Sequence, residues 1–139
     1  MATKVFALVA LLAGVAIRIT ALPTVVFSAE VQIAQTAENV VLRNVKISQD
    51  GEVSGEVLNN SKQVLRDLEI EILYSWQWKN EFRPSKDDPG RAVDIKIDKE
   101  IPPGQSVSFN YKPSPPLPVR KDGYFDVRVK VVGFTRVYR

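Results

Sequence analysis

Between Asp67 and Gln77, apolar side chains recur at every second position: Leu68, Ile70, Ile72, Tyr74 and Trp76. Glu69, Glu71, Ser75 and Gln77 fill the intervening positions, with Leu73 the one exception. Neighbouring side chains of a strand point to opposite faces, whereas a helix would scatter these residues around a cylinder. The segment therefore predicts a strand with one greasy face, and such a face needs a second layer to cover it.

The same rhythm recurs on either side. Val40–Ile47 reads as a strand, followed by a tight turn at Gln49-Asp50-Gly51, where glycine supplies the positive φ a hairpin closure needs. Glu52–Leu58 places Val53, Gly55 and Val57 on one face, and Asn59–Lys62 is the next turn. In Ala92–Lys99, Val93, Ile95 and Ile97 oppose Asp94, Lys96 and Asp98. Ile101-Pro-Pro-Gly-Gln105 is a proline-glycine turn before Ser106–Lys112, which buries Val107, Phe109 and Tyr111. Gly123–Val132 turns Phe125, Val127, Val129 and Val131 inward, and a short seventh strand is expected near Phe134–Tyr138. No internal stretch has helical periodicity and no repeat is visible. The expected fold is all-β: an immunoglobulin-like antiparallel β-sandwich of six to seven strands over 39–139.

Ahead of this domain the chain is different in kind. After Lys4, Val5–Ile17 is an uncharged, largely apolar run of 13 residues, the length of a secretory signal core. As a helix it would span about 20 Å, short of the roughly 30 Å of a bilayer's hydrocarbon. Arg18 interrupts it, and a second apolar stretch containing Pro23 runs to Ala29. Residues 1–29 are expected to be a signal peptide or membrane anchor, with a tether through residues 5–29 if they are not cleaved. Polar Glu30–Glu38 is expected to be a linker. Export to the periplasm or cell envelope follows from this reading.

Composition limits the chemistry. The chain has no Cys and no His, which excludes disulfides, thiol or imidazole nucleophiles, and the usual zinc and copper ligand sets. The formal charge of +3 includes Lys4 and Arg18, and no acid precedes Glu30, so the domain itself is nearly neutral and no nucleic-acid partner is expected. Acids outnumber bases from Glu38 to Glu100 and bases outnumber acids from Lys112 onward. Neighbouring strands from the two halves would pair these charges. Asp87, Asp88, Asp94 and Asp98 lack calcium-loop spacing. No serine-acylation motif occurs, and no metal or cofactor is expected.

Val53-Ser-Gly-Glu-Val-Leu-Asn-Asn-Ser61, the amphipathic run ending at Tyr74, and Ile101-Pro-Pro-Gly-Gln-Ser-Val-Ser-Phe109 together resemble the FxLYD-type domains. The likeness covers Val40–Val132 and implies a bacterial extracytoplasmic β-sandwich, with no catalytic residues to carry over. The chain departs from that pattern at Tyr74-Ser75-Trp76-Gln77-Trp78, where such domains usually enter a tight turn.

The most unusual segment is Trp76–Arg91, a long connection that interleaves aromatics with cations. This mixture suits the recognition of a sugar, peptide or anionic polymer. Alternation assigns Trp76 to the core. Trp78, Lys79, Phe82, Arg83, Lys86 and Arg91 form the candidate binding surface. Lys112–Arg120, with closely spaced prolines, is expected to be a stiff crossover over one end of the sandwich. The function expected is that of a non-catalytic exported module binding an envelope protein or polymer. The alternatives are an accessory subunit tethered to a membrane complex and a polysaccharide- or peptide-active enzyme using carboxylates from separate strands.

Overall fold

A computed structural model of the chain describes residues 27–34 and 39–138. These form seven strands and no helix: β1 Phe27–Ala34, β2 Val40–Ile47, β3 Val53–Asn59, β4 Val64–Trp78, β5 Arg91–Ile97, β6 Ser106–Tyr111 and β7 Gly123–Val137. One sheet has the order β1-β7-β4-β5 and the other β2-β3-β6. A single apolar core lies between them, to which β4 contributes Leu68, Ile70, Ile72, Tyr74 and Trp76, and β7 contributes Phe125, Val127, Val129 and Val131. The facing sheet supplies Leu42, Val53, Val57 and Phe109. The all-β, two-sheet layering expected from the alternation is therefore present. Among the described residues, no helix is long and apolar enough to cross a membrane.

The strand faces follow the alternation closely. In β3, Val53, Gly55, Val57 and Asn59 are buried while Ser54, Glu56 and Leu58 are half-buried on the other face. Gly55 is required by its neighbour: a Cβ there would lie 2.9 Å from the Phe109 ring on β6. Where the parity of the sequence breaks, the backbone absorbs it. Leu65 and Leu68 are both fully buried although three positions apart. Between them Asp67 takes φ 50°, and the β4–β7 register shifts across Arg66 to Glu69. The β2–β3 register likewise shifts past Asn44, at φ 53°. Asp and Asn tolerate this left-handed geometry better than most residues, so each serves a bulge.

Several expectations need correction. Residues 30–34, read as linker, belong to β1, because a short polar segment can still pair through its backbone along an open sheet edge. That pairing is parallel, Phe27 opposite Phe125 and Ala34 opposite Lys130, so the first sheet is mixed rather than purely antiparallel. Finally, Phe134–Tyr138 is no separate strand: β7 runs through Gly133 to Val137, pairing with the early part of β4. β1 also takes in residues 27–29, read as the end of the signal or anchor segment. Residues 1–26, 35–38 and 139 lie outside the described residues, and with them the rest of that reading and of the linker.

The molecule has two distinct ends. At one, β4 closes with Trp78 beside Gly123, where β7 begins, and β3 begins with Val53 beside Tyr111, where β6 closes. The 48–52 turn, the 79–90 loop and the 112–122 crossover gather here. At the other, the 59–63 turn meets the 101–105 turn: Leu65 and Ile101 exchange backbone hydrogen bonds, and Asn59 N–H donates to the Gln105 carbonyl at 2.9 Å. The Asn59 side chain locks that junction. Its Nδ2 donates to the carbonyls of Gln63 and Ile101, both at 2.7 Å, while its Oδ1 accepts from the Ser61 N–H and hydroxyl.

Candidate functional site

The end formed by the 79–90 and 112–122 loops is built on a stack of rings. Trp76 is 7% exposed and meets Phe125 edge-on, with ring centroids 4.8 Å apart. Its indole fits against the start of β7 because Gly123 has no side chain: a Cβ there would lie 2.5 Å from Trp76 Cε2 and 2.3 Å from the Gln77 carbonyl. Trp78, two positions further along β4, is half-buried and packs perpendicular to Trp76 at 5.9 Å. The core reading of Trp76 holds, and Trp78 extends the same stack toward solvent.

Arg120 closes the stack. Its guanidinium carbon sits 5.2 Å from the centroids of both Trp76 and Trp78, the distance at which a cation is drawn to a ring's electron-rich face. The same group donates from Nε to Asp122 at 2.9 Å and from Nη1 to the Asp87 carbonyl at 2.8 Å. Hydrogen bonding from Arg120 holds the Asp122 carboxyl below its ordinary value, and Asp122 in turn raises that of Arg120. The Lys79 N–H donates to the Asp122 carbonyl at 3.0 Å. One arginine on the crossover thus pins both the aromatic base and the 79–90 loop.

The other candidates divide into two groups. Arg91 is half-buried and donates through Nη2 to the Pro115 carbonyl, so it ties β5 to the proline-rich crossover. That crossover covers the end as expected, with Pro113 and Leu117 buried. Lys79, Phe82, Arg83 and Lys86 are exposed, and Phe82 is 96% so. The chain turns back at Asn80, which accepts from the Phe82 N–H through Oδ1 and from the Arg83 N–H through its backbone carbonyl, both at 3.1 Å. Phe82 is held at the tip by these bonds. Val119, on the crossover, is 50% exposed.

Arg120 and Asp122 were not legible as partners of the tryptophans. They lie more than forty positions downstream. Only the antiparallel register that sets Trp78 opposite Gly123 brings them together, and that register could in principle be argued from matching the two longest alternating runs.

The rest of the surface offers less. A shallow hollow of about 530 Å³ lies on the β2-β3-β6 sheet, lined by polar side chains such as Lys46, Ser54, Glu56 and Asn110. Another runs along β4 and β5 beside Ser75, Asp88 and Gly90. Among the described residues, no three acidic side chains converge in a group that could hold a metal ion. Comparison with protein-family models, curated proteins and solved structures finds no match to this chain.

Proposed function

We propose that the chain is an exported, non-catalytic binding module that engages an envelope protein or polymer through the end built from 79–90 and 112–122. The observation that carries this reading is Phe82, a nearly fully exposed aromatic presented by a fixed turn among Lys79, Arg83 and Lys86. An exposed large apolar side chain gains nothing for the fold where it stands. Locking the loop base through Arg120 reduces the ordering entropy that binding costs, which favours a recognition surface. Tyr138 at the opposite end is also exposed, but it follows directly on β7 and is not presented by a turn of this kind.

An immunoglobulin-like topology and membership of the FxLYD type belong to the same proposal. The grouping of β2-β3-β6 against β5-β4-β7 supports them, as does the Asn59 lock, which joins the Asn-Asn-Ser and Pro-Pro-Gly-Gln segments on which the resemblance rests. Export rests on Val5–Ile17. Photo-crosslinking in cells tests the binding end, with the crosslinker at position 82 or, as control, at exposed Lys62 on the opposite end. Discrete adducts are expected from 82 and not from 62. Adducts from 62 alone, or none from either, would remove the reading.

A further inference from the structure

β1 fixes where the N-terminal segment leaves the fold. β7 runs from Gly123 at the Trp78 end to Val137 at the Asn59 end, and β1 lies parallel to it with Phe27 opposite Phe125. Phe27, with which β1 begins, therefore lies at the end that carries Phe82 and Arg120. Nine residues, and so ten Cα-to-Cα steps, separate Ile17, the last of the apolar run, from Phe27. Fully extended they reach at most about 35 Å. The two ends are further apart: β4 and β7 have 15 residues each, or about 50 Å of strand. A bilayer holding Val5–Ile17 would thus lie nearest the Phe82 end, with the Asn59 end directed away.

The side chains at that end suit such a neighbour. Phe82 and Val119 are exposed apolar groups, and Lys79, Arg83, Lys86 and Lys121 are exposed cations. None of the four takes part in an ion pair among the described residues. Asp122 and Asp50 at this end are already engaged by Arg120 and Lys112. Asp88 accepts from the Gly90 N–H at 2.8 Å but keeps its charge, so Glu81, Asp87 and Asp88, with Glu52 of the neighbouring turn, are the acids set against the cations, and the surplus of positive charge comes from the 112–122 crossover. An aromatic tip ringed by lysine and arginine matches the boundary between phosphate headgroups and acyl chains.

We infer that the 79–90 and 112–122 loops dock on the anionic headgroup surface of the same membrane that holds the N-terminal segment. This inference rests on the proposed binding end and on Val5–Ile17 inserting in lipid. It adds the lipid phosphate of that membrane to what this end engages.

The absence of cysteine makes the test direct. The full chain is reconstituted in vesicles of phosphatidylethanolamine with phosphatidylglycerol, carrying a polarity-sensitive dye at Phe82→Cys or at Lys62→Cys. Both positions are exposed, so neither label disturbs the core. The dye at 82 is expected to shift to the blue and be quenched by lipid-borne quenchers, and the dye at 62 to do neither. In phosphatidylcholine alone the shift at 82 should fall away. With phosphatidylglycerol present, Lys79→Gln, Arg83→Gln and Lys86→Gln should each reduce the docked population about five-fold.

Equal signals at 82 and 62, or an undiminished shift in neutral lipid, would overturn the inference. So would a dye at 82 that stays in water while crosslinking at 82 still traps a protein in cells. In that last case the binding end survives and its lipid occupant does not.

Discussion

Asn59 shows how much one buried polar side chain can organise. It is fully buried, with its amide donating to two carbonyls from different turns and its oxygen accepting twice from Ser61. Asn59→Ala strands these groups in the interior. Each unsatisfied buried group costs about 1–3 kcal/mol, so a loss near 3 kcal/mol is expected, read as a lower urea midpoint with unchanged slope. Gly123→Ala should cost about 1–3 kcal/mol by overpacking, because the new methyl meets both Trp76 and the Gln77 carbonyl.

Tyr74 offers a pH test at the same scale. Its hydroxyl donates to the Gly51 carbonyl at 2.8 Å, and burial pushes its ionisation well above the ordinary value of 10.0. A phenol raised in the fold contributes stability that is complete below the unfolded value and is lost as pH climbs beyond it. Ultraviolet titration should show a tyrosinate component that appears only with unfolding, and Tyr74→Phe should remove it. None of this detail was legible from sequence. Asn59 read as a turn residue, and Tyr74 as a core aromatic without its partner, because hydrogen bonds between distant turns leave no periodicity.

At the scale of the element, alternation made the inward faces of β3, β4 and β7 readable and left the edges unreadable. The reason is physical. A core strand is written in its side chains, whereas an edge strand such as β1 is held by backbone bonds that any short polar sequence can make. A strand past Gly133 was legible at Phe134–Tyr138 but its continuity with β7 was not, since Thr135 and Arg136 pair with Arg66 and Leu65 of β4 across a register shift.

The loop candidates were found by composition, but composition could not distinguish Arg91, which holds the crossover, from Arg83, which is exposed. The crossover makes its own prediction. Asp122, held below its ordinary 3.8 by the Arg120 hydrogen bond, keeps the pair charged above that pH and releases it only as pH falls through the lowered value. The order this pair supplies is thus present at neutral pH and lost in acid. Tryptophan emission should be steady from neutral pH down to about pH 4 and red-shift below it. Asp122→Asn should show the shifted emission already at neutral pH.

For the molecule as a whole, the division into two ends is what gives function a direction. One end is closed by Asn59 and two tight turns; the other holds its aromatic rings with Arg120 and shows Phe82 to its surroundings. The parallel course of β1 places Phe27, where that strand begins, at the end that carries Phe82 rather than at the Asn59 end. Hydrogen exchange of the full chain, compared between isolated envelope and detergent extract, examines that polarity without assuming a partner. Slower exchange in the envelope is expected across 79–90 and 112–122, with 59–63 and 101–105 unchanged. Slowing confined to 59–63 and 101–105, or no difference between the two preparations, would contradict that polarity.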